Sequence, residues 1–469
     1  MHTETDRPAG LQTPAGVHAH RSRAMAGLLS FVWPGLGQAY RGDPRLGVAY
    51  AVPPALILVA AAAAVAVLGP FVVVAHLFNP LVSLSLIGLV VALALWRSVS
   101  ILDASAIRRD RRLLVLAAVL ITLVVVSHGW AAYGLWSFYA AGQEIYEPIG
   151  GAPPSPAPDP SPGTTGAPGT ATPIPIASDG PSAPLPGQFG RVTILLVGVD
   201  NTHTRDLALT DTLMVASFDP LTQSLTMISI PRDISRLPFY SGGEWRPRIN
   251  TLMQNAAREP ERYPDGPMGS LVKQISYVVG VPIDYYAQID IAGFTRLIDM
   301  VGGVDVVVER AVNDPGYQFS PDEVGFRVEP GPHHFDGKMA TAFARSRRGS
   351  SDYDRARRQQ QILLALRRKL EDPFVLANVG GLVDALGDMI RTDAPLERFP
   401  EIVSIAQRSQ DAATRNIVLS PPKYAQSVFT DSGTRTFQLE LKMPAIEELS
   451  IELFGEDSRY FDERHGERE

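Results

Sequence analysis

The sequence predicts an α/β domain with a mixed central sheet flanked by helices, preceded by an all-α transmembrane region. Three observations divide the 469 residues in this way. Residues 46–96 and 113–143 contain no Asp, Glu, Lys or Arg, and residues 149–190 are dominated by Pro, Gly, Ser, Thr and Ala. From residue 191 onward, short strand-like runs alternate with helical patterns, which predicts a sheet covered by helices on both faces.

The two uncharged stretches predict a transmembrane region over residues 46–143. A spanning helix needs about 20 apolar residues, so the first stretch fits two helices broken near Gly69 and Pro70, and the second fits one. Buried helices of a soluble domain are the alternative. They are disfavoured because long parts of both stretches are apolar on every face of a helix.

Flanking arginines predict the orientation of these spans, since cytoplasmic loops carry an excess of Lys and Arg. They precede the first span and separate the second from the third: Arg21, Arg23, Arg41, Arg45, Arg97, Arg108, Arg109, Arg111 and Arg112. Residues 1–45 are therefore predicted to be cytoplasmic, with a short apolar segment at 24–40 lying at the membrane interface. Everything after about residue 144 is predicted to be extracytoplasmic.

Composition restricts what the remaining chain does. Residues 144–190 cannot bury a core and favour an extended polyproline-like chain, which predicts a spacer. The absence of cysteine excludes disulfides, thiolate metal sites and a cysteine nucleophile. A net charge of −7 is a poor fit to nonspecific nucleic-acid binding, so no nucleic-acid partner is expected.

The α/β domain is predicted over residues 191–455, followed by a charged and frayed tail at 456–469. Predicted strands lie at 192–199, 213–218, 224–230, 285–289, 304–308 and 416–419. Predicted helices lie at 249–258, 269–279, 291–300, 337–346, 353–370, 375–389 and 396–408. A turn at 219–222 predicts an antiparallel hairpin, and hence a mixed sheet.

Carboxylates and arginines are predicted to meet at one edge of this sheet. Asp200 ends the first strand and Asp211 opens the second, so they share an edge if these strands are antiparallel. Arg232 follows the third strand at the same edge, and Arg248 begins a helix. Two carboxylates suit Mg²⁺ or Mn²⁺, and arginines clamp phosphate oxygens. Taken singly, such residues are more often turn residues or surface salt bridges; their grouping favours a site.

Six arginines between residues 345 and 358 form a second basic segment in an acidic chain. On a helix starting near Asp352, one stripe is polar in its first half and apolar in its second. The stripe contains Asp352, Arg355, Gln359, Ile362, Leu363, Leu366 and Leu370. Because its apolar half must face a core, its polar half also points inward, and buried charge is costly unless it is paired or liganded. A structural ion pair and an anion-binding pocket both remain open, with the pocket favoured.

These motifs together resemble the catalytic domain of the LytR–CpsA–Psr family of bacterial cell-wall assembly enzymes. They occur in family order: LLVGVD at 195–200, TDT at 210–212, SIPRD at 229–233, RIN at 248–250, PIDYY at 282–286, GGVD at 302–305, RSR at 345–347 and DYDRARRQQQ at 352–361. The resemblance covers about residues 191–370 directly and implies a mixed sheet with a long hydrophobic pocket for a polyprenyl chain.

The resemblance also implies an activity. Members transfer a glycan polymer from a polyprenyl-pyrophosphate carrier onto peptidoglycan, with Mg²⁺ at the pyrophosphate. The implied partners are therefore the lipid-linked glycan, peptidoglycan and a lipid bilayer, and the implied location is the bacterial cytoplasmic membrane, with several spans and an extracytoplasmic catalytic domain.

By motif, the resemblance assigns roles to individual residues. Asp200 and Asp211 are the metal-side carboxylates, and Asp352, with Arg355 and Asp200, is implied to be catalytic, Asp352 by activating the acceptor hydroxyl. An Asp352–Arg355 ion pair is the alternative for that carboxylate. The implied pyrophosphate-binding residues are Arg232, Arg248, Arg345, Arg347, Arg355 and Gln359.

One position departs from the family pattern. Family members usually carry Arg two residues before the Asp of the Asp-Thr pair, where this chain has Leu209. Arg205 is a possible replacement from the preceding loop. Two alternatives to the transferase stay open: a pyrophosphatase that uses water as acceptor, and a catalytically silent binding or regulatory module that holds lipid-linked glycans, for which Leu209 is the only support in the sequence.

Overall fold

A computed structural model describes most of the chain outside the N-terminus and the Pro-rich spacer. The described residues are 22–106, 110–149, 190–200, 209–347, 351–369, 372, 375, 387, 389–429 and 437–466. They form two compact units, each made of two segments. The first unit comprises Met1–Val67 and Ser85–Tyr133, and the second comprises Leu68–Leu84 and Gly134–Glu469.

In the described residues of the N-terminal part all regular elements are helices, as predicted. Its helices are α1 (Arg23–Val32), α2 (Leu36–Arg41), α3 (Pro44–Leu68), α4 (Pro70–His76), α5 (Pro80–Ser105) and α6 (Arg111–Ile145). Of these, α3, α5 and α6 are long and apolar enough to cross a membrane. The predicted break near Gly69 holds the additional short helix α4.

The short apolar segment at 24–40 forms the two helices α1 and α2, which are separated at Pro34 and Gly35. A buried polar cluster holds α2 in place. Gln38 on α2 is 2% exposed. Its amide nitrogen donates to the carbonyl of Ser100 (2.9 Å) and to Asp103 Oδ2 (3.1 Å), and its oxygen accepts from Ser30 Oγ (3.0 Å). Since a buried amide is costly without partners, this cluster fixes α2 against the end of α5.

The second unit contains the strands, and their order confirms a mixed central sheet. The strands are β1 (Val192–Asp200), β2 (Leu209–Asp219), β3 (Ser224–Ser229), β4 (Ile234–Ser235), β5 (Leu237–Pro238), β6 (Glu244–Trp245), β7 (Tyr285–Asp290), β8 (Val304–Val308), β9 (Val312–Ser320), β10 (Glu323–Val328), β11 (Gly331–Phe335), β12 (Ile390–Thr392), β13 (Ala413–Val418), β14 (Ala425–Phe429) and β15 (Phe437–Leu441). The six-stranded sheet has the order β12-β7-β1-β2-β3-β13. The β1–β7 and β3–β13 pairs are parallel, whereas β1–β2, β2–β3 and β7–β12 are antiparallel.

Helices flank this sheet. They are α7 (Leu252–Arg258), α8 (Gly266–Val279), α9 (Ile291–Met300), α10 (Gly337–Arg345), α11 (Asp352–Arg368), α12 (Phe399–Arg408), α13 (Met443–Phe454) and α14 (Arg459–Gly466). Short 3-10 turns at Ile249–Thr251 and Leu396–Arg398 precede α7 and α12. The predicted helix at 375–389 lies almost entirely outside the described residues.

The two faces of β1 separate the core from the candidate site. Leu195, Val197 and Val199 are at most 1% exposed and belong to the largest buried cluster, with side chains of α7 and α8. Successive side chains of a strand point to opposite faces, so the alternate residues Leu196 and Asp200 face the other way, into a cavity.

The C-terminal segment is more ordered than the frayed tail expected there. Arg459 packs over the ring of Tyr277 at 3.9 Å, and Tyr460 is 3% exposed and donates to the carbonyl of Val278 (3.0 Å). The charge pattern suggested a solvated end, but the apolar stems and rings of this helix pack on α8.

Segments next to the long apolar helices also pack within the second unit. Phe78 contacts Phe138 at the end of α6 and Phe399 on α12, with ring centroids 5.4 and 5.5 Å apart. The backbone N–H of Glu147 donates to the carbonyl of Thr392 (2.7 Å), and its carbonyl accepts from Tyr286 Oη (2.7 Å). The C-terminal end of α6 is thus joined to the edge strand β12.

Candidate functional site

One cavity of about 840 Å³ lies between the open face of the sheet, helices α9, α10 and α11, and strand β9. It is lined by apolar side chains that include Leu196, Phe294, Leu297, Leu363, Leu366 and Ile390. It is also lined by five arginines, Arg232, Arg248, Arg345, Arg347 and Arg355, and by four aspartates, Asp200, Asp211, Asp290 and Asp314. This volume is in the range of small-molecule and cofactor sites.

Helix α11 supplies a stripe that passes from polar to apolar along the cavity. The helix begins with a capping box formed by Ser351 and Asp354, which fixes its first turn. From there Arg355, Gln359, Leu363 and Leu366 line the cavity in succession. At 1.5 Å rise per residue, this stripe is about 16 Å long.

The predicted stripe is thus confirmed in part. Ile362 lies in a buried cluster instead, and is 0% exposed. Asp352 lies at the N-terminus of the helix, beside Arg355, and Leu370 is outside the described residues. The helix rotation that brings Leu363 to the cavity turns Ile362 toward α10.

A β-bulge aims Asp211 into the site. The β1–β2 register pairs Gly198 with Thr212 and Val199 with Thr210, so Asp211 is the extra residue of β2. Glycine is needed at 198, since a Cβ there would lie 2.9 Å from Thr212 Cβ. The antiparallel pairing confirms the shared edge predicted for Asp200 and Asp211, and the bulge explains why both line the cavity.

Each of these two carboxylates has an arginine partner. Asp211 Oδ1 lies 2.5 Å from Arg232 Nη1, and Asp200 Oδ2 lies 3.6 Å from Arg345 Nη2. Leu209 pairs directly with Asp200 across the two strands. A cation is therefore supplied to Asp200 from α10 rather than from the neighbouring strand, and Arg205 lies outside the described residues.

Strand β9 provides site residues that the sequence pattern did not reveal. Asp314, which is 5% exposed, accepts hydrogen bonds from Ser346 Oγ and from the backbone N–H of Arg347, both at 3.0 Å. Burial raises the pKa of the Tyr317 hydroxyl, and the nearby charge of Arg345 opposes this. Neither residue has a sequence signal, because both lie in a hairpin of mixed composition.

Two ion pairs lie at the polar end of the cavity. Arg248 Nη1 is 3.3 Å from Asp233 Oδ1, and Asp352 Oδ1 is 2.9 Å from Arg355 Nη1. Burial raises the pKa of the Asp233 carboxyl and the nearby charge of Asp352 raises it further, although Arg248 and Arg232 lower it. Asp233 was part of a quoted motif but was not predicted as a site residue.

The guanidinium of Arg355 is buried among like charges. It is 6% exposed. Burial lowers the pKa of Arg355, as do the nearby charges of Arg347 and Arg232, while Asp352 and Asp211 raise it. Arginine stays protonated at neutral pH, so this wall of the cavity is a positively charged surface suited to an anion.

Most of the predicted site residues lie in one cavity. Those that line the cavity are Asp200, Asp211, Arg232, Arg248, Arg345, Arg347, Arg355 and Gln359. Asp352 is not among the residues that line the cavity, but it forms an ion pair with Arg355, which is. The alternative reading of Asp352 as an ion-pair partner therefore describes a real contact.

A comparison with protein families identifies the family of this chain. A sequence model of the LytR_cpsA_psr family matches residues 175–462, more than half of the chain. The chain belongs to the LytR_cpsA_psr family. The match ends within α14, which agrees with the packing of that helix on α8.

Curated relatives of this family carry specific names. The chain is 31% identical over 245 residues to a protein of Halalkalibacterium halodurans named polyisoprenyl-teichoic acid–peptidoglycan teichoic acid transferase TagU, an alignment spanning 52% of this chain and 70% of that protein. A protein of the same name from Oceanobacillus iheyensis is 29% identical over 216 residues, spanning 45% of this chain and 62% of that protein. The crystal structure of B. subtilis TagV superposes with a TM-score of 0.46 and 22% identity, covering 59% of this chain and 98% of that one.

Proposed function

We propose that this LytR_cpsA_psr family member is a membrane-anchored phosphotransferase that moves a glycopolymer from a polyprenyl-pyrophosphate carrier onto peptidoglycan. The observation that carries the proposal is the cavity itself. Along one stripe of α11, the polar residues Arg355 and Gln359 are followed by the apolar residues Leu363 and Leu366. A single site with a polar and an apolar part suits a diphosphate joined to an apolar chain. The names of the curated relatives agree with this substrate class.

Different residues of the chain bind the pyrophosphate and accept the proton in the proposed transfer. The five cavity arginines bind the pyrophosphate oxygens and stabilise the charge that develops on them. The acceptor hydroxyl oxygen forms a bond to the phosphorus that carries the glycan, and the bond from that phosphorus to polyprenyl phosphate breaks. Asp352 takes the hydroxyl proton, and polyprenyl phosphate leaves along the apolar part of the cavity.

Asp200 and Asp211 fit a magnesium ion. Among the described residues no group of three or more His, Cys, Asp or Glu side chains is arranged to hold a metal ion, but Mg²⁺ is commonly held by one or two carboxylates together with substrate phosphates and water. The arginine contacts use one oxygen of each carboxylate, Oδ2 of Asp200 and Oδ1 of Asp211. When bound, the ion would neutralise charge on the diphosphate.

The long apolar helices support a membrane location for this reaction. In this proposal α3, α5 and α6 cross the bacterial cytoplasmic membrane, residues 1–45 are cytoplasmic, and the cavity is extracytoplasmic. Reporter fusions after residues 107 and 190 test the topology: the first is expected to report the cytoplasm and the second the outside. An outside signal at 107 contradicts the three-span arrangement.

A turnover assay tests the chemistry. Full-length protein in detergent micelles, with a polyprenyl-pyrophosphate-linked disaccharide and purified peptidoglycan, is expected to release polyprenyl phosphate and to attach the disaccharide covalently in the presence of Mg²⁺. The full chain is used because Phe78 and the end of α6 pack within the same unit as the cavity.

The acceptor separates the alternatives. Release of polyprenyl phosphate without attachment, at a rate that is unchanged when peptidoglycan is omitted, contradicts the transferase and supports the pyrophosphatase. Binding of the lipid-linked disaccharide without any release supports the silent module. An Asp200→Asn variant is the matched control, expected to retain folding and lose Mg²⁺-dependent release.

A further inference from the structure

An apolar cluster within the second unit joins the segment around α4 and the C-terminal end of α6 to the edge of the central sheet. Its buried centre, in which each residue is at most 7% exposed, consists of Phe78, Phe138, Ala141 and Ile145. The half-buried apolar residues packed around this centre are Val74, Leu77, Ile390 and Phe399. All of these residues belong to the second unit, which also contains the cavity.

Ile390 belongs both to this cluster and to the cavity. It lies on β12, the edge strand of the central sheet, where it pairs with Ile289 of β7. Both isoleucines line the cavity, and Ile390 also packs against the cluster. The apolar wall of the cavity therefore continues through Ile390 to the half-buried residues around Phe78.

Close packing fixes the position of Phe78 beside this wall. Its ring lies 5.4 Å from the ring of Phe138 on α6 and 5.5 Å from the ring of Phe399 on α12, measured between centroids. A Cβ at Gly142 would lie 3.1 Å from both the carbonyl oxygen of Phe78 and Leu396 Cδ1. Glycine at 142 thus lets α6 approach both partners, and the segment after α4 is an integral part of the fold around the cavity.

A polyprenyl chain of many isoprene units is longer than the apolar part of the cavity. The whole stripe on α11 is about 16 Å long, and its first part is assigned to the pyrophosphate in the proposed function. The far end of a long carrier must therefore lie outside the cavity, where apolar side chains shield it from water. Helix α4 lies between α3 and α5, two of the proposed spans, so its apolar residues lie where a membrane lipid is available.

We propose that α4, Phe78 and the C-terminal end of α6 form a second apolar subsite, which binds the far isoprene units of a long carrier after they leave the cavity past Ile390. This inference rests on the proposed transferase function. It adds that the membrane region takes part in substrate binding, and that the protein prefers long carriers to short ones because only long carriers reach this subsite.

The first test compares two carriers of the same disaccharide pyrophosphate, a long polyprenyl chain and one with two isoprene units. Full-length protein is assayed with Mg²⁺ and peptidoglycan. Phe78→Ala is expected to raise the ratio of KM for the long carrier to KM for the short one by about 5-fold or more, because apolar contact is lost only beyond the cavity. Phe78→Leu keeps an apolar side chain and is expected to return this ratio to within about 2-fold of wild type.

Phe454→Ala is the matched control. Phe454 is 3% exposed, lies on α13 in the largest buried cluster, and is not among the residues that line the cavity. Its loss is expected to lower the thermal midpoint without changing the KM ratio of the two carriers. The comparison separates a contact with the far end of the lipid from the general effect of removing a buried ring.

A second test measures binding without turnover. The chain has no cysteine, so Leu77→Cys introduces a single thiol at the half-buried edge of the cluster. A long polyprenyl diphosphonate is expected to slow the alkylation of this thiol by a maleimide by about 5-fold or more, because thiol reactivity follows exposure. The two-isoprene diphosphonate should leave the rate unchanged. Trp136→Cys is the control, since Trp136 is 51% exposed on α6 and its position should be protected by neither compound.

The outcomes distinguish this subsite from the proposed function. An equal effect of Phe78→Ala on both carriers, or alkylation of Leu77→Cys that the long diphosphonate does not slow, overturns the subsite while leaving the transferase intact. Wild type that releases no polyprenyl phosphate from either carrier overturns the proposed function. Should Phe78→Ala fail to fold, as judged by its thermal midpoint, the alkylation rates decide alone.

Discussion

The two sides of α11 each bury an arginine, and their partners differ. On the core side, Arg358 donates to the main-chain carbonyls of Phe343 (2.5 Å), Ser346 (2.6 Å) and Asp354 (3.3 Å) and lies over the Phe343 ring. On the cavity side, Arg355 pairs with Asp352 and faces other arginines across open space. Both are 6% exposed.

The comparison shows that partners, rather than burial, distinguish the structural Arg358 from Arg355, which we propose binds the pyrophosphate. Arg358 joins the end of α10 to the start of α11 with its hydrogen bonds satisfied by protein. Burial lowers its pKa to about 10, which leaves it charged at neutral pH. Arg355 forms an ion pair with Asp352 and lies close to two further arginines. Because buried charge is costly unless it is balanced, we expect an anion to bind beside these arginines.

The strongest way to sharpen this contrast is to remove the cavity-side cation. Arg355→Gln is expected to lower kcat/KM for lipid-linked glycan by about 100-fold or more, as for other groups that stabilise a developing anion. Its thermal midpoint should stay close to wild type, because the lost ion pair is offset by relief of repulsion from Arg232 and Arg347. Turnover assays and thermal unfolding in detergent check both halves.

Removing the core-side cation should give the opposite pattern. Arg358→Met leaves the buried carbonyls of Phe343 and Ser346 without this donor and is expected to reduce the free energy of unfolding by about 3 kcal/mol. Turnover per folded molecule should remain within about 3-fold of wild type. Equilibrium unfolding measures the stability, and turnover at a temperature at which the variant is folded measures the activity. A loss of activity without a loss of stability would contradict the contrast between Arg358 and Arg355.

The apolar half of the cavity stripe predicts a smaller effect that depends on substrate length. Leu363→Asn is expected to raise KM by roughly 10-fold for a long polyprenyl carrier, since a leucine contact is worth about 1.5–3 kcal/mol. A carrier with two isoprene units should be affected much less. Equal effects on both carriers would mean that the lipid does not follow α11.

The smallest effect is expected at Leu209. Because Arg345 already lies beside Asp200, Leu209→Arg should change KM by less than about 3-fold, whereas Arg345→Gln should raise it about 10-fold. Steady-state kinetics on the two variants compares them directly. A large gain from Leu209→Arg would show that Arg345 does not replace the cation usual in the family.

Much of the central sheet could be predicted because its strands are long, apolar and bounded by clear turns. The predicted segments 192–199, 224–230 and 285–289 nearly coincide with β1, β3 and β7. The hairpin β9–β10 and the three-residue strand β12 could not, since β9 contains Asp314, Pro315 and Gly316, and β12 is too short to show a period.

The candidate site was predictable where a periodic helix or a sheet edge brought residues together. The stripe on α11 and the shared edge of Asp200 and Asp211 follow from spacing alone. The pairing of Asp200 with Arg345 does not, because it joins the end of a strand to the end of a helix 145 residues later. The roles of Asp314 and Ile390 likewise depend on tertiary packing.

The most direct test is a structure of the full-length protein bound to a non-hydrolysable polyprenyl-diphosphonate. The account predicts that the diphosphonate contacts Arg355 and Arg345 while the polyprenyl chain runs along Leu363 and Leu366, with Arg358 still bound to its three carbonyls. A diphosphonate outside the cavity, or a chain that leaves it without touching α11, would contradict the account.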